Sequence, residues 1–118
     1  MKGVYILKLN LKKNQEIMVG KLGKKMFEKG SYYYVGSSQN NIEKRIQRHF
    51  SKEKKLHWHI DYLTTHPLFE VLSVEKLINT SKEKECQTAK ELLKKYEPIK
   101  GFGCSDCKCQ SHLFYHKE

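Results

Sequence analysis

A chain of 118 residues can bury one core and is too short for two, so residues 1–118 are read as a single domain. Hydrophobic residues at 38% and aromatics at 11% exclude wholesale disorder, and no apolar run approaches the roughly 20 residues of a membrane span. Twenty-three Lys and Arg against 13 Asp and Glu give a formal charge of +10, which favours polyanionic partners, nucleic acid first among them.

In chain order, residues 3–11 (GVYILKLNL) alternate and place Tyr5, Leu7, Leu9 and Leu11 on one side of a strand. After a turn at Lys12-Lys13-Asn14, residues 15–22 can run back as a second strand. Glycines at 20, 23 and 30 then punctuate a short basic excursion before a strand over 31–37. Gln39-Asn40-Asn41 offers N-cap residues for a helix reaching about Phe50. Residues 57–64 fit helix or strand, with helix preferred, and Pro67 ends that segment. A strand follows over 68–77. Thr80-Ser81-Lys82-Glu83 has the capping-box pattern and predicts a helix to about Tyr96, closed by Pro98. The remainder, 99–118, reads as an irregular tail rich in Gly, Cys and His. The expected fold class is α/β (α+β): helices around a small antiparallel or mixed sheet.

Helical spacing singles out charged residues on packed faces. Ile42, Ile46 and Phe50 form a stripe, and Arg45 and His49 lie on or beside it, while Lys44, Gln47 and Arg48 point elsewhere. A cation there needs an anion or the reach to snorkel, so Arg45 and His49 either face a phosphate-sized cleft or are boundary residues. In the last helix Cys86, Ala89, Leu92, Leu93 and Tyr96 define an apolar arc. Glu85 falls inside that arc, unlike Glu83 and Glu91, and a carboxylate so placed is expected to meet a metal ion or a lysine. Tyr32 and Tyr34 share one face of their strand. A phenol becomes a useful base or water-orienting group only beside cations or a metal.

The ordered set Gly3-Val4-Tyr5, Tyr34-Val35-Gly36, Ser37-x-x-Asn40-x-x-x-x-Arg45-x-x-x-His49 and, later, Glu85 resembles the motifs of the GIY-YIG nuclease superfamily. Residues 19–23, 32–37, 58–63 and 101–113 resemble more narrowly a compact prokaryotic branch, the domain-of-unknown-function 123 family. About thirty residues separate Gly3 from Tyr34, where the superfamily usually has a short hairpin, so an extra hairpin is expected between the first two motifs.

The resemblance implies a metal-dependent endonuclease that hydrolyses phosphodiester bonds, with DNA the expected substrate over RNA. Its catalytic residues would be Tyr5, Tyr34, Arg45, His49 and Glu85. Glu85 would hold Mg²⁺ or Mn²⁺. Tyr5 or Tyr34, with Tyr34 preferred, would orient or deprotonate water. Arg45 would stabilise charge on phosphate oxygens, and His49 would hydrogen-bond a tyrosine or relay a proton. Gly36, Ser37, Lys44, Arg48, His57 and His59 are candidates for substrate binding. As a strand, His57, His59 and Asp61 would share a face and form a candidate metal cluster. As a helix, His57 and Asp61 would pair while His59 turned away.

Cys104, Cys107, Cys109 and His112 have zinc-like residue types, although four within nine residues is tighter than most structural sites. They stand as a secondary candidate for zinc beside a reading as small thiols packing the tail. The apolar opening breaks at Lys8 and shows no cleavage pattern, so a cytoplasmic protein with reduced thiols and no membrane partner is expected. DNA repair or defence against foreign DNA are the superfamily settings in which such an activity would be expected. A non-catalytic nucleic-acid-binding module and a zinc-stabilised interaction domain are the competing classes.

Overall fold

The computed structural model describes residues 1–103 and 109–116. Its main sheet has five strands: β1 (Gly3–Leu11), β4 (Gly30–Ser38), β5 (Phe69–Ile78), β6 (Glu97–Pro98) and β7 (Leu113–His116), in the order β5-β1-β4-β7-β6. Every pairing in it is antiparallel. The extra hairpin between the first two motifs is a separate two-stranded sheet of β2 (Gln15–Met18) and β3 (Lys24–Phe27). Among the described residues the α-helices are α1 (Ile42–Phe50), α2 (Asp61–Thr64) and α3 (Glu83–Leu93). The α+β class is therefore observed, and among the described residues no helix is long and apolar enough to cross a membrane.

β1 lies inside the sheet, between β5 and β4, because it can bury both faces. Tyr5, Leu7, Leu9 and Leu11 enter the larger core with Phe27, Tyr32, Ile42, Ile60, Leu63 and Phe102. Val4 faces the other way, with Val35, Ala89 and Phe114, where α3 packs. The sheet is thus covered on both sides, by α1, α2 and the small hairpin on one and by α3 on the other.

Several local expectations are corrected. The second strand stops at Met18, and Gly20–Leu22 form a 3-10 turn; Lys24–Phe27, read as an excursion, is a strand because Phe27 is drawn wholly into the core. In α1 the packed stripe passes through Ile42, Ile46 and His49, and Phe50 is exposed. No side chain caps α3. The Thr80 hydroxyl instead donates to the Leu77 carbonyl at 2.6 Å and accepts the Val4 N–H at 3.2 Å, so it joins the sheet end rather than the helix. Asn41, in contrast, caps α1 through its side chain, accepting the Lys44 N–H at 3.0 Å. The tail is not wholly irregular: Leu113–His116 insert between β4 and β6, since Leu113, Phe114 and Tyr115 supply buried surface to both faces.

Candidate active site

β4 outruns its neighbour, and that mismatch makes the site. The β4–β7 register ends at Tyr34↔Leu113, with one further bond from the Val35 N–H to the His112 carbonyl at 2.9 Å. Past this point Gly36, Ser37 and Ser38 line a cavity of about 460 Å³. Tyr5 and Tyr34 come to it from the sheet, Arg45 from α1, and Lys82 and Glu85 from the start of α3. His57, Trp58 and His59 close one side, and Gly103 and His112 another. A carboxylate, a guanidinium and two phenols from four distant stretches of sequence therefore share one hollow.

Register explains the glycine of the second motif. Tyr5 stands opposite Gly36, and a Cβ on Gly36 would meet the Tyr5 hydroxyl at 2.5 Å and its Cζ at 2.6 Å. Only glycine lets the phenol lie across β4. Gly36 thus has a packing reason to be glycine in addition to its place on the cavity wall.

Tyr5 is almost wholly buried, and its hydroxyl is bonded to His49 Nε2 at 2.7 Å. Burial drives its pKa well above 10, and the Arg45 guanidinium opposes this by charge and by a hydrogen bond. His49 lies behind Tyr5 and not on the cavity wall. Burial, with Lys54 adding to it, lowers its pKa to about 3, so it is neutral at physiological pH; among the described residues its Nδ1 has no partner. Tyr34 is half-buried, and its pKa is raised first by burial and then by Tyr5 and Glu85.

Arg45 is fixed in two ways. Its Nη1 donates to the Ser37 carbonyl at 2.8 Å, and its guanidinium lies 4.3 Å from the centre of the Trp58 ring. Arg48, one turn on, also lies over that ring, at 4.4 Å, but points to Asp61. Its Nη1 bonds Asp61 Oδ1 at 2.7 Å and its Nη2 bonds the Lys55 carbonyl at 2.8 Å. Asp61 has no exposed surface; its Oδ2 accepts the backbone N–H groups of His57 and Trp58, both at 2.9 Å. Burial alone would raise its pKa, but the Arg48 bond and these two amides hold it below the usual carboxylate value.

These contacts decide between the readings of residues 57–61. The segment is a turn entering α2, and Asp61 ties that turn to α1; His57, His59 and Asp61 do not form a metal cluster among the described residues. His59 does line the cavity. Its Nδ1 accepts the Gly103 N–H at 2.8 Å and burial lowers its pKa, so the ring is neutral with its proton on Nε2. Gly103 sits at φ 74, a conformation that favours glycine, to make that contact.

The family model described as domain of unknown function DUF123 matches residues 4–118. The chain belongs to the DUF123 family. No match was found among curated proteins or among solved structures.

In this DUF123 chain the other candidates fall on either side of the cavity. Ser37 and His57 line it with Gly36 and His59, whereas Lys44 and Arg48 line a shallower neighbouring groove. Glu85 is buried on α3 as its spacing implied, flanked by Thr88 and Ala89, and its Oε2 lies 3.8 Å from His112 Nδ1. Three contributors went unread: Trp58, which holds both arginines; Lys82, which brings a cation to the mouth; and Asp61 as the organiser of residues 57–61. A buried acid three residues from a tryptophan is a weak signal, and nothing in the sequence marks Lys82 among so many lysines. Of the tail residues, Cys104 and Cys107 lie outside the described residues. Cys109 and His112 come together with Cys86, their ligand atoms all within 4.8 Å of one another, so this Cys/His group could hold a metal ion.

Proposed function

We propose that the protein is a metal-dependent endonuclease that hydrolyses phosphodiester bonds, with DNA as substrate. The observation that carries this reading is the meeting of Glu85, Arg45 and Tyr34 on one open cavity of about 460 Å³, room enough for a phosphodiester and its flanking sugars. A cytoplasmic location accompanies the reading, since the substrate and reduced thiols are found there.

Glu85 is the one acidic side chain on the cavity wall among the described residues. A single carboxylate with hydroxyl and amide oxygens nearby suits Mg²⁺ or Mn²⁺, hard ions that keep most of their waters. Bound there, such an ion would polarise the phosphoryl group and favour the charged form of nearby water and phenol.

The chain's own residues do the rest. Arg45, held by Ser37 and Trp58, presents a guanidinium to the equatorial phosphate oxygens without having to be ordered first. Tyr34 orients the attacking water, because the Tyr5 hydroxyl is already engaged by His49. His49 holds Tyr5 in place. With a pKa of about 3 it would take a proton at pH 7 only at a cost of roughly 5 kcal/mol, so positioning is favoured over proton relay. His59 offers its Nε2–H to a phosphate oxygen. Lys82 and the net charge of +10 attract the backbone, which gives strong salt dependence and little sequence readout.

Nicking of supercoiled plasmid by the purified protein in Mg²⁺, Mn²⁺ and chelator tests the proposal. Cleavage should require the ion and should be lost in Glu85→Gln. DNA binding that persists with no metal-dependent cleavage would replace the enzyme with a binding module.

A further inference from the structure

A second constellation shares one residue, His112, with the cavity wall. Cys86 follows Glu85 on α3, Cys109 packs with Val4, Val35, Ala89 and Phe114 on the α3 side of the sheet, and His112 immediately precedes β7. Cys86 and Cys109 are thiols and half-buried, and His112 is buried. All three ligand atoms lie within 4.8 Å of one another. In a tetrahedral zinc site with arms of about 2.3 Å to sulfur, neighbouring sulfurs stand roughly 3.8 Å apart. The observed spacing is therefore one small side-chain adjustment from a coordination shell.

We propose that Cys86, Cys109 and His112 bind a Zn²⁺, with its fourth position left to water, that clamps α3 to the start of β7 beside Glu85. Donor chemistry selects the ion. Two thiolates and an imidazole are soft or borderline ligands and favour zinc over Mg²⁺ or Ca²⁺, whereas the oxygen-lined cavity favours the reverse. The two metals are thus sorted to adjacent sites by ligand type.

The backbone is already set for this. His112 is anchored on both sides of its peptide: its N–H donates to the Phe102 carbonyl at 2.8 Å, and its carbonyl accepts the Val35 N–H. Glu85, 3.8 Å from His112 Nδ1, can orient a ligating imidazole as carboxylates do behind zinc-bound histidines. Zinc uptake releases the two thiol protons, and no oxidant or reductant is needed. Cys86, read from sequence as an apolar-arc residue, joins Cys109 and His112 as a ligand. The clamp also fixes the first turn of α3, which carries Glu85 and lacks a side-chain cap.

The full chain, purified without added metal, should hold about one zinc per molecule by elemental analysis. Titration of the stripped protein with Co²⁺ should give thiolate-to-cobalt charge-transfer absorption and tetrahedral visible bands. Cys86→Ser should lower bound zinc below about 0.1 per chain and weaken the charge-transfer band. The cobalt spectrum of the unaltered chain can overturn the proposal even if the variant fails to fold. No zinc and no thiolate–cobalt band would overturn the proposal. Full zinc retention in Cys86→Ser would overturn it too, as would a metal-free Cys86–Cys109 disulfide found by intact mass. None of these readouts involves cleavage, so the zinc site and the nuclease reading stand or fall separately.

Discussion

Two charged clusters meet at Trp58, and they handle charge in opposite ways. In the Asp61 cluster every strong group is matched: Oδ1 meets Arg48 and, at 3.7 Å, Lys54, and Oδ2 meets two backbone amides. In the cavity Arg45 and Glu85 line an open space of about 460 Å³ that admits a ligand. Both clusters draw an arginine from α1, and both arginines lie over one indole. Arg48 spends its donors on Asp61 and Lys55, while Arg45, also bonded to Ser37, reaches the cavity wall. Saturated buried charge holds a fold in place, and charge left facing an opening is available for chemistry.

The largest effect expected from this contrast is on stability, at the saturated cluster. Asp61→Ala would strand Arg48, the nearly buried Lys54 and two amides, at a cost of about 3–5 kcal/mol by denaturant unfolding. A loss under about 1 kcal/mol would show that the cluster is not the structural hub described.

Next comes the paired comparison of the two arginines. Arg45→Ala should lower kcat for metal-dependent cleavage by about 10²–10³-fold. The accompanying stability change should stay near 1 kcal/mol, one hydrogen bond and one ring contact. Arg48→Ala should do the reverse, losing several times more stability than Arg45→Ala and little kcat among molecules that remain folded. Equal effects on both readouts would erase the distinction between the clusters.

The last comparison is a pH slope. His49 has a folded pKa of about 3 against 6.5 for an unperturbed histidine. Below pH 6.5 the unfolded chain binds a proton that the folded chain refuses until about pH 3. Stability is therefore complete above 6.5 and falls on acidification by roughly 1.4 kcal/mol per pH unit. Asp61, whose pKa is lowered, loses stability in the same direction but only below the carboxylate range. Between pH 6 and about 4, His49→Asn should flatten the slope relative to the unaltered chain. His59 and His66, also lowered, are present in both proteins and cancel. An unchanged slope would mean that His49 accepts a proton in the folded state and could relay one after all.

Much of this was legible locally. Alternation over 3–11 marked a strand, Gln39-Asn40-Asn41 marked the start of α1, and the arc of α3 singled out Glu85, because these signals lie within one element. Ordered motifs gave the family and the expectation of a nuclease. Elsewhere the sequence misled for equally physical reasons. Thr80 sits where a capping box should begin, but its hydroxyl finds partners in Leu77 and Val4, and local patterns cannot foresee a competing acceptor across the sheet end.

By itself the sequence determined the charge of the chain and the helical faces on which Arg45 and Glu85 ride. Tertiary structure alone decided which side chains converge, since that depends on strand order and on β4 outrunning β7. It separated Arg45 from Arg48, made Asp61 a structural anchor, and brought Cys86 to Cys109 and His112. Contacts between residues tens of positions apart are fixed by sheet register and packing, and no period within one element encodes them.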